Sequence, residues 1–217
     1  NLVAQQWRLS REDLDRYALR SADLALHAQQ QGLFKREIVP IQVNGQWVDQ
    51  DETIRSSTTY EGLSQLKAVF KTPELQQRFP ELDWVTTAGN ASQMSDGAAA
   101  LLLMSREKSE ALGLRPRARF AGFDVCGADP FMMLTAPMPS TQRLLKKTGI
   151  GIDAIDHFEV NEAFAAVPLA WQKVIGAPLE KLNPRGGAIA LGHPLGASGA
   201  RLMVSLLHAL EDNNQRM

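Results

Sequence analysis

Residues 186–201 read GGAIALGHPLGASGAR and carry more information about the fold than any other part of the chain. They contain five glycines. Because glycine is costly inside regular structure, such a density indicates positive φ angles or a close approach of the backbone to another group. His193 lies in the middle of this stretch, and its imidazole can gain or lose a proton near neutral pH. The stretch predicts a functional site at His193, with a purely structural histidine as the alternative.

An amphipathic helix is predicted immediately after this loop, over residues 198–210. Its apolar positions recur at helical spacing and fall on one face: Leu202, Leu206, Leu207 and Leu210. Ser198 would begin the helix, where its hydroxyl can act as a cap. The same helix terminus favours negative charge that develops nearby. The sequence thus predicts His193 at a loop-to-helix junction.

A second motif lies upstream, where residues 159–166 read EVNEAFAA. The pattern predicts a helix from Asn161 to Val174, and asparagine is a favoured N-cap residue. In this interpretation Asn161 only caps the helix and has no catalytic or binding role. In the alternative reading, the Asn161 side chain faces the mouth of a site and holds a water molecule.

A third motif consists of residues 88–92, AGNAS, followed by residues 96–103, DGAAALLL. The first part is typical of a turn. The apolar run of residues 98–103 is predicted to be a buried strand, because it is short and has polar residues on both sides.

The rest of the chain alternates between helix and strand patterns. Ser10 and Asp13 form a predicted capping pair, and Asn44-Gly45 is a predicted turn. Further helices are predicted over residues 10–31, 61–70, 107–112 and 141–148, and further strands over residues 37–43, 118–125 and 155–160. This alternation favours an α/β fold with layered sheets.

Composition excludes several classes of protein. The chain has 217 residues, 44% of them hydrophobic and 22% charged, with a net charge of −1, so it is globular and gives no reason to expect nucleic acid as a partner. No apolar run approaches the roughly 20 residues of a membrane span. A single cysteine excludes an internal disulfide and favours a reducing, cytoplasmic compartment. Because the chain begins at Asn1 without methionine, we expect an internal piece of a longer protein.

Other reactive side chains lack partners in the sequence. Cys126 has no histidine or acid nearby and is not expected to be a nucleophile. His27, His157 and His208 fit structural positions. No metal-ligand spacing and no phosphate-binding glycine motif is present, so no metal is expected.

Two motifs together, NEAFA at residues 161–165 and GHPLGASG at residues 192–199, resemble the thiolase family of acyl-CoA C-acyltransferases. The motifs at residues 88–92 and 96–99 support the resemblance, which extends over essentially the whole chain. It implies a layered α/β/α/β/α sandwich, here incomplete, with the N-terminal part and the C-terminal end missing. It divides the chain into the end of a CoA-covering loop domain (1–94), the last part of an N-terminal core domain (95–115) and a C-terminal core domain (116–217).

The resemblance also implies roles for individual residues. His193 would be the catalytic histidine, and Asn161 would hold a catalytic water; the two would form an oxyanion hole. Ser92 and Phe164 would line the pantetheine tunnel and the acyl pocket. Two further candidates for substrate and CoA binding are Ala88 and Phe79.

The implied reaction is thiolytic cleavage of a 3-ketoacyl-CoA, or the reverse Claisen condensation. Coenzyme A and acyl-CoA would be substrates, with no covalently bound cofactor, and the enzyme would be a homodimer or homotetramer without nucleic-acid or membrane partners.

The family also needs a nucleophilic cysteine early in the chain and a second cysteine in a Cys-x-Gly motif near the C-terminus. Cys126 corresponds to neither. We therefore expect part of a longer enzyme, and the alternative is a truncated or non-catalytic protein that binds acyl-CoA or lipid. A sterol-carrier-type thiolase fits less well because NEAFA is intact, and ketoacyl synthases and HMG-CoA synthases fit GHPLGASG poorly.

Overall fold

A computed structural model describes residues 1–217. Nine α-helices follow one another along the chain: α1 (Leu2–Gln6), α2 (Arg11–Gln30), α3 (Tyr60–Ser64), α4 (Pro73–Arg78), α5 (Arg106–Ala111), α6 (Pro137–Thr148), α7 (Ala166–Ile175), α8 (Ala188–Leu191) and α9 (Ser198–Asp212). Single 3₁₀ turns occur at Ile152–Ala154 and Leu179–Lys181. The strands β1 (Ile41–Val43) and β2 (Gln46–Val48) form an antiparallel hairpin with Ile41 opposite Val48. None of the helices combines the length and the apolar character needed to cross a bilayer.

The long helix α2 confirms its predicted capping pair. The Ser10 hydroxyl accepts a hydrogen bond from the Asp13 backbone N–H at 3.1 Å, and the Asp13 carboxylate accepts one from the Ser10 N–H at 2.8 Å. This reciprocal arrangement satisfies two donors that a helix start otherwise leaves free. The helix ends one residue before the predicted end, and Gly32 follows at φ +69°. Local chemistry is therefore sufficient to define α2.

The core forms where α2 meets α7 and its neighbours. Leu14 and Tyr17 of α2 are buried in the same apolar cluster as Trp171 of α7. Phe158 joins this cluster, its ring centroid 5.3 Å from that of Trp171. Burying each large side chain of this kind contributes about 1.5–3 kcal/mol relative to leaving it exposed. Contacts of α2 with α8 attach the segment before His193 to this core.

Gly186 brings that segment directly against α2. Its φ angle is +76°, and a Cβ at this position would lie 2.6 Å from the Ser21 carbonyl oxygen and 2.7 Å from the Ala25 Cβ. Only glycine permits so close an approach of backbone to backbone. The predicted role of the glycine-rich stretch is confirmed here.

The turn Asn44-Gly45 also forms as predicted. Both residues have positive φ, +50° and +81°, as expected for a tight hairpin turn. The strand before it is shorter than predicted: it begins at Ile41, and residues 37–40 lie outside it.

Three predicted strands are wrong, and two of them lie in the middle of the chain. Residues 98–103 and 118–125 are not part of any strand, and their large side chains are exposed; Leu102 is 80% and Val125 93% exposed. A sheet forms only when backbone groups of neighbouring strands pair, and no strand of the chain pairs with either segment. The apolar composition of both segments predicts a strand, but without a neighbouring strand no hydrogen-bonded ladder forms.

Several helix boundaries also differ from prediction. The predicted helix 61–70 stops at Ser64, and the Val69 N–H pairs instead with the Thr86 carbonyl at 2.9 Å. Helix α6 begins at Pro137, four residues before the predicted start, because proline is compatible with a first helical turn. Helix α5 agrees within one residue. Residues 155–160 form only a single parallel bridge, Phe158 with Leu182, and not a strand.

Candidate active site

The loop that presents His193 leaves α8 through Gly192. Gly192 has a φ angle of +83°, and a Cβ there would overlap the Ser95 hydroxyl. The His193 backbone N–H donates to the Gln93 carbonyl at 3.0 Å. The histidine is therefore held between α8 and residues 93–95, and this position requires a glycine before it.

The imidazole of His193 has a defined partner on each nitrogen. Nδ1 lies 2.6 Å from the Ser198 hydroxyl oxygen, and Nε2 lies 3.2 Å from Nδ2 of Asn161. The Ser198 hydroxyl has one hydrogen and donates it to the Pro194 carbonyl at 2.9 Å. With that hydrogen on the Pro194 carbonyl, Nδ1 is the donor to Ser198, and in the neutral ring Nε2 is then unprotonated and accepts from Nδ2 of Asn161.

Electrostatics also favour this neutral ring. Burial, and after it the positive charge of Arg201, lower the pKa of His193 below its usual value. A neutral imidazole with a free lone pair on Nε2 is a general base at neutral pH. The site can therefore remove a proton from a group that approaches Nε2.

Asn161 is not a helix cap, so that part of the prediction is wrong. Helix α7 begins five residues later, at Ala166 with Ala165 at the N-cap position. Residues 161–165 instead run beside residues 90–92, through the bridge of Ala91 with Phe164. Because the chain is not helical at Asn161, its side chain can face His193. Its Oδ1 is buried and has no hydrogen-bond partner, so it offers an open acceptor beside the ring.

Ser92 and Phe164 lie next to the same loop. The Ser92 hydroxyl and backbone N–H both donate to the Ala163 carbonyl at 3.1 Å. The Phe164 ring meets Phe70 edge to face, with the centroids 6.2 Å apart. The structure thus brings Ser92 against the loop that carries Asn161 and Phe164, and the binding roles of Ser92 and Phe164 stay predictions.

The remaining two candidates lie further out. Ala88 is an exposed residue of a turn. Phe79 packs on Phe131, with ring centroids 5.6 Å apart, and borders a depression of about 280 Å³ that none of the residues around His193 lines. The structure does not join Phe79 to the His193 site.

An open groove adjoins the histidine loop. It has a volume of about 400 Å³ and lies between residues 95–99 and residues 194–197. Small side chains dominate both walls, so backbone and methyl groups border most of it. A ligand in this groove would lie directly beside the His193 loop.

Comparison with protein families identifies the chain. The model "Thiolase, N-terminal domain" matches residues 1–107, and the model "Thiolase, C-terminal domain" matches residues 114–217. The chain belongs to the thiolase family.

Curated relatives agree with this thiolase assignment. A beta-ketoadipyl-CoA thiolase of Pseudomonas aeruginosa is 46% identical over 220 residues, which cover 99% of this chain and 52% of the relative. A probable acetyl-CoA acyltransferase of Staphylococcus epidermidis is 45% identical over 98% of this chain and 52% of its own length. The thiolase chain therefore spans about half the length of the curated relatives it matches.

Solved structures confirm the thiolase-like α/β fold. The crystal structure of the Bacillus anthracis acetyl-CoA acetyltransferase matches with a TM-score of 0.88 at 40% identity, and human mitochondrial 3-ketoacyl-CoA thiolase with 0.87 at 37%. Each match covers 98% of this chain and 52% of the other.

Sequence reasoning missed two buried residues next to these loops. Asn90 is fully buried; its Oδ1 accepts from the Thr87 N–H at 2.8 Å, and its Nδ2 donates to Asp15 at 2.8 Å. Asn90 therefore anchors the AGNAS turn to α2. Glu162 is also fully buried, next to Asn161. Its position within a predicted amphipathic helix gave no signal of burial, since a glutamate there is usually solvated.

Cys126 lies apart from these contacts. Its thiol donates to the Ala136 carbonyl at 3.4 Å, at the start of α6. The expectation that Cys126 is no nucleophile for His193 stays a prediction.

Proposed function

We propose that this chain carries the proton-transfer and oxyanion-stabilising part of an acyl-CoA C-acyltransferase that cleaves 3-ketoacyl-CoA with coenzyme A, or runs the reverse Claisen condensation. One observation carries the proposal. The unprotonated Nε2 of His193 lies 3.2 Å from the Asn161 amide, and the residues that follow His193, 194–197, form one wall of an open groove. Relatives named as thiolases and acetyl-CoA acyltransferases support the reaction class.

The first step is activation of a thiol. Nε2 of His193 takes the proton of a cysteine thiol, since the thiolate is the reactive nucleophile. Residues 1–217 offer only Cys126, so the nucleophile is a cysteine that the family resemblance implies elsewhere in the complete enzyme. The thiolate attacks the 3-keto carbon of the substrate.

The second step breaks the carbon–carbon bond between C2 and C3. The electron pair of that bond becomes the enolate of acetyl-CoA, whose oxygen needs hydrogen-bond donors already in position. The newly formed Nε2–H of His193 is one such donor, and a water held by Asn161 is the second. Loss of one donor of this kind typically lowers the rate about 10²–10³-fold. Protonation of the enolate carbon and transfer of the acyl group to coenzyme A complete the cycle.

Asn161 must serve both protonation states of His193. While Nε2 is unprotonated, Nδ2 of Asn161 donates to it. After proton transfer the Nε2–H points to the enolate oxygen, and Nδ2 of Asn161 no longer has an acceptor on the ring. The free Oδ1 of the same amide can accept one hydrogen of the water, whose other hydrogen points to the enolate oxygen.

Substrate binding is assigned to the surfaces around this pair. We place the pantetheine arm along the groove between residues 95–99 and 194–197, with Ser92 and Phe164 near the acyl end. The domain roles of residues 1–94, 95–115 and 116–217 are part of this proposal, as are assembly into dimers or tetramers and a cytoplasmic location.

The test is thiolysis by the full-length protein. We expect release of acetyl-CoA from acetoacetyl-CoA and coenzyme A, and a loss of at least about 10³-fold in His193→Ala. An intact mass above that of 217 residues would show that cysteine-bearing segments exist. Near-normal turnover of His193→Ala contradicts the proposal, and a full-length protein without thiolysis that still binds acyl-CoA supports the non-catalytic alternative.

A further inference from the structure

The carboxylate of Glu162 is fully buried and surrounded by donors. Its Oε1 accepts from the Tyr17 hydroxyl and from Nδ2 of Asn183, both at 2.9 Å. Its Oε2 accepts from the Ser21 hydroxyl at 2.6 Å and from the Ile189 backbone N–H at 3.1 Å. Because all four partners donate, an acceptor-only ionised carboxylate fits the site.

These hydrogen bonds join two parts of the chain that meet at the active site. Ile189 belongs to α8, which leads through Gly192 into His193. The backbone N–H of Gly187 donates to the Ser21 hydroxyl at 3.0 Å, and that hydroxyl in turn donates to Glu162. The first turn of α8 is thus attached to Glu162 twice, once directly and once through Ser21.

Gly187 shows how closely the two parts approach. A Cβ at this position would lie 2.5 and 2.6 Å from the two carboxylate oxygens of Glu162. No side chain fits between them, so the carboxylate packs directly on the backbone. Interiors packed this tightly transmit small displacements.

We propose that Glu162 is a positioning residue, which fixes the separation between Asn161 and His193 by tying the Asn161 loop to α8. Glu162 follows Asn161 directly in sequence, and its hydrogen bond to Ile189 lies four residues before His193. The inference rests on the proposed function, because it concerns the geometry of the same pair. Glu162 itself need not touch the substrate.

A carboxylate cannot be replaced here by its amide. In Glu162→Gln one oxygen becomes an NH₂ group, and it would face two of the four donors. The Ile189 N–H and the Asn183 amide nitrogen cannot accept, and turning the Asn183 amide over would break the hydrogen bond that its oxygen accepts from the Val160 N–H at 2.8 Å. Buried donors without acceptors force the loops apart. Misplacement of reacting groups by about 1 Å can lower a rate about 10²-fold.

The first experiment compares Glu162→Gln with the wild type in the full-length protein. We expect kcat for thiolysis to fall about 10²-fold, with KM for acyl-CoA within about threefold, because ground-state binding of the substrate does not use the Asn161–His193 separation. Wild-type kcat in a folded Glu162→Gln variant would overturn the inference.

A matched pair of milder variants decides the question if Glu162→Gln does not fold. Ser21→Ala and Tyr17→Phe each remove one hydroxyl donor to the carboxylate, but only the Ser21 hydroxyl also connects to Gly187. We expect kcat to fall about tenfold in Ser21→Ala and less than about threefold in Tyr17→Phe. A purely structural role predicts instead that kcat and melting temperature fall in proportion in both variants, and that outcome would overturn the inference.

His193→Ala separates this inference from the proposed function. If His193→Ala is inactive and all three network variants retain wild-type kcat, only the role of Glu162 fails. If His193→Ala itself retains activity, the proposed function fails as well. If the network variants lose kcat as expected and His193→Ala is inactive, both are supported.

Discussion

Two regions of the chain differ in how far they bury their apolar side chains. The site core, residues 156–212, buries Leu182 completely and gives the buried Glu162 hydrogen bonds from Asn183 and Ile189. The outer segment, residues 95–128, leaves Leu102 and Val125 almost fully exposed without any strand partner. The geometry around His193 is therefore held by contacts within residues 1–217, whereas the apolar side chains of the outer segment lack the contacts that their composition would favour.

The candidate site contains residues from both regions. Asn161, His193 and Ser198 belong to the site core, and their mutual distances follow from its packing. One wall of the groove, residues 95–99, belongs to the outer segment. We therefore expect substitutions in the site core to change the rate, and equivalent substitutions in the outer segment to have small effects on chemistry.

The largest contrast is expected from two glycines with positive φ. Gly192 in the site core has Ser95 directly beside it, whereas Gly113 in the outer segment has φ +64° and no atom within 4 Å of an added Cβ. Gly192→Ala combines backbone strain with an overlap that displaces His193, so kcat for thiolysis should fall at least about 10²-fold. Gly113→Ala should cost about 1–2 kcal/mol of stability and leave kcat unchanged. Equal kcat values for the two variants would remove the distinction between the regions.

A smaller contrast is expected from two buried serines. Ser198 accepts from Nδ1 of His193, whereas Ser109 of α5 donates to the Leu114 carbonyl at 2.7 Å. Ser198→Ala frees the ring to adopt the other tautomer, so kcat should fall about 10–10²-fold, measured with saturating substrate. In Ser109→Ala we expect a loss of about 1 kcal/mol in unfolding free energy and wild-type kcat. Wild-type activity of a folded Ser198→Ala variant would show that this hydroxyl does not select the tautomer.

The same division explains how much of the molecule the sequence could predict. Helix α2 was predicted within one residue because Ser10, Asp13 and the apolar spacing act locally. The turn at Asn44 and the glycine approach at Gly186 follow from backbone conformation alone. The strand prediction for residues 98–103 is wrong because a strand needs a neighbouring strand to pair with, and no local sequence pattern shows whether one is present.

Within the site, residue types were predictable and their environment was not. His193 and Asn161 were identified, yet the helix-cap reading of Asn161 was wrong because Phe164 bridges to Ala91 and the helix begins only at Ala166. Glu162 was missed since its burial arises from four partners distant in sequence, the furthest being Tyr17, 145 residues away. Such a cluster has no signature along a single sequence.

Two leucines measure the packing difference directly. Leu182 is 0% exposed in the site core, and Leu102 is 80% exposed in the outer segment. In the chain of residues 1–217, Leu182→Ala should lower the unfolding free energy by about 3–5 kcal/mol, because it removes contacts and leaves a cavity. Leu102→Ala should change it by less than about 0.5 kcal/mol. Denaturant titration of both variants checks the contrast, and similar losses would mean that Leu102 is packed in solution.

The last contrast concerns a partly buried carboxyl, that of Glu37, which lies against the site core. Burial raises the pKa of Glu37 to about 7, although the charges of Arg185 and Arg201 and the Ser205 hydroxyl oppose the shift. Oε2 of Glu37 is buried without a hydrogen-bond partner, and His208 Nδ1 donates to the Val204 carbonyl at 2.9 Å instead. The folded chain therefore stabilises the protonated form of this carboxyl.

The sign of the resulting pH dependence is opposite to that of a salt-bridged carboxylate. Between the unfolded pKa of 4.5 and the folded value of about 7, the folded state binds more protons, so stability falls as pH rises. At about 1.36 kcal/mol per pKa unit, the loss by pH 8 is at most about 3 kcal/mol. We expect Glu37→Gln to flatten the unfolding free energy between pH 5 and pH 8, whereas Glu107→Gln, at an exposed site in α5, should not. An unchanged slope in Glu37→Gln would mean that the site core pairs or hydrates this carboxyl in solution.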